Sequence, residues 1–274
     1  MAMAMARVAA AMVTAMAAVC CAAAQALPDP AALIKEVQAH QQAVEQIREN
    51  FTFHEAVRTE ELNADGSVRG VTSEDREVFY VNGRRVFRVL KKNGMELSAP
   101  EARAEQARVK KLVESDMKAP PVQVRTGTRL ISQILAVTKL SNTRVTALNG
   151  RPTLVFDFAG DPAAKAHGME QSVAKKLTGT IWVDRADRQV ARVEILVAED
   201  YRLAGGLLAN IRKGSQLTVE QAPVGDGLWL QTATEEHVAA RVLLKSERQN
   251  VHIRDFDFQR FDVGMLQKIN PVTP

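Results

Sequence analysis

From position 30 onward, hydrophobic positions fall first at helical and then at strand spacing. Leu33, Val37, Val44 and Ile47 recur at three- and four-residue steps once a gap at Ala39-His40 is allowed, which predicts a helix over 30–48. Asp29 suits its N-cap and Pro30 its first helical position, where a missing N–H costs nothing. The period then switches to two. Strands are predicted over 51–62, 68–81 and 84–92, punctuated by Asp65-Gly66, Asn82-Gly83 and Asn93-Gly94. Connections this short favour antiparallel neighbours.

Ser98 followed by Glu101 is a capping box, opening a charged helix over 99–117 whose narrow apolar stripe is Val109, Leu112, Val113 and Met117. After Pro120-Pro121, the run Leu130, Ile131, Ile134, Leu135 predicts a better buried helix over 128–138. A second set of strands follows at 141–148, 152–159, 178–184 and 189–198, with a helix expected between them at 163–177. Three more strands are expected at 215–222, 227–240 and 245–261. These strands arrive in runs, separated mostly by turns rather than by helices. That pattern predicts an α+β domain with one large antiparallel sheet and helices gathered on one face.

The segment before this domain has a different composition. Arg7 precedes an uncharged apolar run from Val8 to Ala24. Ala24-Gln25-Ala26 fits a small-x-small cleavage site, and Pro28 and Pro30 break any helix just beyond it. Residues 1–26 therefore read as a signal peptide and 27–274 as a single exported domain, with the periplasm as its expected location. The run is short and Ala-rich for a spanning helix. Lipidation at Cys20 or Cys21 is the minority alternative, because Val19 is a poor neighbour for it. Cleavage after Ala26 removes both cysteines, so the mature chain holds no thiol and depends on an ordinary core. The formal charge is +4, or +3 without Arg7, a mild excess that suits anionic lipid head groups without requiring them.

Candidate chemistry is sparse. No nucleophile elbow, phosphate loop, dinucleotide fingerprint or zinc-protease motif is present, so no enzyme and no cofactor is expected. The histidines lack metal-site spacing, although His237 and His252 could meet across a hairpin, and no metal is expected. Asp255 and Asp257 should share one strand face. They read either as paired carboxylates or, more simply, as the wet side of a half-buried strand; with Glu235 they are the only hydrolase candidates. Strand 84–92 carries Arg84, Arg85, Arg88, Lys91 and Lys92. The arginines are candidates for head-group or partner contact, against the simpler reading of a charged, aggregation-resistant edge. Nucleic acid is not an expected partner, since few aromatics are present to stack bases. Between 203 and 211, Leu203, Leu207, Leu208 and Ile211 surround Gly205-Gly206, as a cavity lip, a membrane-touching element or a short packed helix.

Certain phrases carry a family resemblance. They are Asn149-Gly150-Arg151-Pro152, Gly179-Thr180-Ile181-Trp182-Val183-Asp184 turning into Val190-Ala191-Arg192-Val193-Glu194, Ala204-Gly205-Gly206-Leu207-Leu208-Ala209, and Asp255 to Phe261. In this order the chain resembles the LolA-like group of outer-membrane lipoprotein-sorting carriers. The resemblance implies an incomplete antiparallel barrel with helices on its concave face and an apolar cavity for lipid or lipoprotein acyl chains. The cavity candidates are Ile131, Ile134 and Leu135 on one helix, and Leu154, Phe156, Phe158, Ile181, Val183, Val193 and Ile195 on three strands whose same-face sets form one apolar patch if the strands are neighbours. The alternative is an envelope module that binds a protein partner, with the same fold and a packed interior.

Overall fold

The computed structural model describes residues 30–120, 130–203, 209–225, 227–242 and 245–260. The expected signal peptide with Cys20 and Cys21 lies outside these residues, as do Leu207, Leu208 and Phe261. In chain order the elements are α1 (Pro30–Ile47), a 3-10 turn (Arg48–Asn50), β1 (Phe51–Leu62), β2 (Val68–Val81), β3 (Arg84–Lys92), β4 (Met95–Glu96) and α2 (Ala99–Lys118). Then come α3 (Leu130–Val137), β5 (Thr138–Leu148), β6 (Arg151–Gly160), α4 (Gly168–Ala174), β7 (Leu177–Asp184) and β8 (Val190–Val197). The last are β9 (Tyr201–Leu203), β10 (Ala209–Ile211), β11 (Gln216–Gly225), β12 (Leu228–Val242) and β13 (Lys245–Arg260).

The described strands join one antiparallel sheet in the order β4-β3-β2-β1-β13-β12-β11-β8-β7-β6-β5, with β9 and β10 attached beside β12, and this sheet is not closed into a barrel. The tight turns follow from three Asn-Gly pairs. Asn82, Asn93 and Asn149 have φ of 49°, 50° and 51°, and their glycines follow at 76°, 76° and 77°. Positive φ at both central residues matches the twist of the flanking strands, and Asn-Gly tolerates it best. Ser98 and Glu101 form the expected capping box at the start of α2.

Three local expectations are corrected. The helix expected over 163–177 is only Gly168–Ala174. Before it, Asp161 turns the chain by accepting the Ala163 N–H through Oδ1, and after it Leu177 already belongs to β7. The ends of 203–211 are strands rather than a short helix: β9 pairs with β10, and β10 with β12, while the lip expected around Gly205-Gly206 lies outside the described residues. β12 outruns β11, which accompanies it only as far as His237, so β10 satisfies the backbone groups at Ala240–Val242. Finally, Asp255 and Asp257 do not share a face. Asp255 is buried while Asp257 is 62% exposed at its side chain, beside His54. A register shift between Thr52 and His54, with Asp257 at φ 54°, breaks the two-residue period.

The main core lies between α1, α3, α4 and the sheet from β6 to β11. α2 packs on β2 and β3 through a separate cluster of Phe79, Val81, Val86, Val109 and Val113. Phe53, Val78 and Tyr80 form a third cluster, with Phe87 and Phe258 against it.

Candidate functional site

The site has an apolar part and a polar part. In the apolar part, cross-strand register aligns Phe156 with Ile181, Ile181 with Val193, and Val193 with Val219. Leu154 pairs with Val183 in the next row. Phe158 stands opposite Gly179, which in turn stands opposite Ile195. Only glycine fits there: a Cβ would lie 1.9 Å from the Glu194 carbonyl oxygen and 2.7 Å from the Phe158 ring. The result is one continuous apolar face across β6, β7, β8 and β11. Ile131, Ile134 and Leu135 of α3 and Leu33 and Val37 of α1 cover it. All ten expected cavity residues belong to this cluster, each between 0% and 6% exposed.

The polar part begins where α1 changes chemistry. Its buried face runs Leu33, Val37, Gln41, then Val44 and Glu45, and continues to Arg48 in the 3-10 turn. These positions follow one helical stripe, but the second half of that stripe is polar. Glu45 joins α1 to α3. It accepts the Ser132 hydroxyl at 2.7 Å and the Ser132 N–H at 3.3 Å, the latter belonging to the first turn of α3. Gln41 Nε2 also donates to Glu45 at 3.2 Å. Below them Gln221 and Gln231 rise from the sheet. With Val44, Leu130, Ile131 and Val219, these side chains and Arg48 enclose a pocket of about 20 Å³. That volume holds one water-sized group.

Arg48 anchors the seam to β12 and β13. Its Nη2 donates to Asp255 Oδ2 at 3.1 Å, its Nη1 donates to Gln231 Oε1 at 3.1 Å, and its guanidinium lies 5.2 Å from the centre of the Phe53 ring. Burial pushes the Asp255 carboxyl up to about 6, helped by the nearby Glu55 charge; Arg48 and, more weakly, Arg85 pull the other way without winning. Burial likewise raises the Tyr80 phenol. Several buried polar atoms make no hydrogen bond among the described residues: Gln41 Oε1, Gln221 Oε1, Arg48 Nε, Asp255 Oδ1 and the Tyr80 hydroxyl. Buried polar groups are normally paired, so such a concentration marks a place where another molecule belongs, water at the least.

The other candidates lie elsewhere. Arg84 pairs with Asp116 at 3.6 Å, Arg85 with Glu55 at 2.5 Å, and Arg88 with Glu77. Each of these arginines on the basic strand thus faces a carboxylate. His237 and His252 do meet across the β12–β13 hairpin, with ring centres 6.3 Å apart. Among the described residues no group of three or more His, Cys, Asp or Glu has metal-binding geometry, and no helix is long and apolar enough to cross a membrane. Sequence reasoning missed Gln41, Glu45, Arg48, Gln221 and Gln231. The available signal was the gap in the α1 stripe, where the next buried positions are polar.

No family model and no curated protein matches the sequence. Solved structures do. One is a putative outer membrane lipoprotein-sorting protein domain from Vibrio parahaemolyticus, 10% identical, with a TM-score of 0.39, covering 86% of this chain and 97% of that one. A LolA superfamily protein from Nitrosomonas europaea matches at 12% identity and a TM-score of 0.34, covering 84% and 96%. A DUF1329 family protein from Desulfovibrio piger matches at 13% and 0.33, covering 84% and 94%. The resemblance expected from the sequence thus reappears among the structural matches, at TM-scores under 0.5.

Proposed function

We propose that the chain is an exported, non-enzymatic binder or carrier of lipid or lipoprotein acyl chains in the cell envelope. The observation that carries this reading is the apolar face of β6, β7, β8 and β11, covered by two helices rather than by a second sheet. The cover joins the rest of the domain along a polar, incompletely hydrogen-bonded seam at Gln41, Arg48 and Gln221. A cover tied down this way separates more readily than one with a fully paired seam. Displacing α1 and α3 would offer an acyl chain the same apolar contacts that the helices now make. Each buried methylene contributes about 0.8 kcal/mol, so a dozen suffice without a strong polar contact.

The signal-peptide pattern in 1–26 supports export to the periplasm, where peripheral contact with a membrane would follow from loading and unloading. The test is mass spectrometry of an organic extract of the purified protein, together with uptake of a fluorescent fatty acid. Bound lipid or saturable uptake is expected. A lipid-free protein that takes up no probe removes the reading. The second reading, an envelope module that binds a protein partner, is favoured by one observation: the ten apolar side chains already fill the space they line, at 0–6% exposure.

A further inference from the structure

The apolar face of the sheet ends in a carboxylate. Register places Glu236 of β12 beside Leu217 of β11, and Leu217 beside Ile195 of β8. Residues paired across antiparallel strands project to the same side of the sheet. Ile195 belongs to the main core cluster and Leu217 packs against it. The row that starts at Phe158 and passes Gly179 and Ile195 therefore runs through Leu217 to Glu236. Beyond it, Val251 of β13 is buried again. β6 and β12 are four strand spacings apart, about 19 Å, so an extended chain laid along the row brings its end to Glu236.

Glu236 differs from the other acids that register places on this face. Asp255 of β13 pairs with Arg48, Glu55 of β1 with Arg76 and Arg85, Glu61 with Arg69, and Glu74 of β2 with Arg76. Glu236 makes no hydrogen bond or ion pair among the described residues, and burial alone raises its pKa. Its sequence neighbours Glu235 and His237 project to the opposite face, where Glu235 meets Arg254. A half-buried carboxylate among apolar side chains and without a counter-charge is costly, and an ammonium group donating to it relieves that cost. The chain as a whole carries +4, so its general field favours anions, and a preference for a cation has to come from a local acid. All of these groups stand on strands, so the site persists when α1 and α3 move aside.

We propose that Glu236 is the counter-ion for an ammonium group at the polar end of a single-chain amphiphile whose tail lies across β11, β8, β7 and β6. The proposal rests on the acyl-binding reading above and adds the charge of the ligand.

The experiment is calorimetric titration at pH 8 with decylammonium, decanoate and decanol, each below the concentration at which it aggregates. The protein is compared with its E236Q and E236K variants, and thermal melts check that each variant folds. The parent is expected to bind decylammonium about tenfold tighter than decanoate, the scale of a charge-assisted hydrogen bond. E236Q should abolish that preference, E236K should reverse it, and decanol should bind all three proteins alike. E236Q should also melt no lower than the parent, because it removes a charge that nothing compensates. Equal affinities for decylammonium and decanoate in the parent, or a folded E236Q that keeps the preference, overturn the counter-ion while acyl binding stands. An E236Q that melts well below the parent overturns it too, by showing that the carboxylate already has a partner in the folded chain. Binding of none of the three ligands overturns both the counter-ion and acyl binding.

Discussion

Asp255→Asn tests whether a charge is held at a cost beneath α1. The Asp255 carboxyl is 4% exposed, and its pKa rises from 3.8 to about 6 although Arg48 donates to it. A folded-state pKa above the unfolded one means that the folded protein binds the proton more tightly. This contribution is fully present below 3.8 and lost as pH rises through about 6. The whole rise corresponds to about 3 kcal/mol, of which about 2 kcal/mol falls between pH 4.5 and 7.5. Carboxylates such as Asp184, Glu105 and Asp157, whose pKa values are lowered, act in the opposite direction as pH falls through their range. They are common to parent and variant, so they cancel in the difference. Urea unfolding of both proteins at pH 4.5 and 7.5 gives that difference directly. The parent should lose about 2 kcal/mol relative to Asp255→Asn on going to pH 7.5. A relative stability constant to within about 0.5 kcal/mol, or moving the other way, would refute the argument that burial outweighs Arg48.

Phe156→Asp places a charge in the centre of the cross-strand row, where Phe156 is 1% exposed. It should cost several kcal/mol and abolish the cooperative thermal transition; a folded variant would show that the row yields to water. Gly179→Ala forces a methyl against the Glu194 carbonyl and the Phe158 ring. It should cost about 2–4 kcal/mol in a denaturant melt, and a loss below about 0.5 kcal/mol would mean that the β6–β7–β8 register is wrong. Ser98→Ala removes the hydroxyl from the capping box of α2 and should cost about 1 kcal/mol, with acyl uptake unaffected because α2 packs away from the site.

The parts of the fold that were legible are those governed by short-range rules. The three Asn-Gly turns and the capping box placed β2, β3, β6 and α2 nearly to the residue, and period-two alternation grouped Phe156, Ile181 and Val193 with their same-face neighbours on strands that the structure pairs side by side. The parts that were not legible depend on partners distant in sequence. β9 and β10 exist because β12 is longer than β11. Asp255 and Asp257 separate because a bulge opposite β1 resets the alternation. The polar pocket escaped for a similar reason. Gln41, Gln221 and Gln231 look like ordinary surface glutamines until α1 is laid across β11 and β12, and only the gap in the α1 stripe hinted at them.

The central claim is that an acyl chain occupies the space between α3 and β6–β7–β8. Photo-crosslinking tests it most directly, using a decanoyl or palmitoyl chain that carries a diazirine near its end, with adducts mapped by peptide mass spectrometry. The account predicts saturable adducts on α3 at Ile131, Ile134 or Leu135 and on β6 at Leu154, Phe156 or Phe158, competed away by the same acyl chain without the diazirine. Adducts confined to exposed apolar positions such as Val145, Leu196 or Phe256, or no saturable adduct at all, would contradict it.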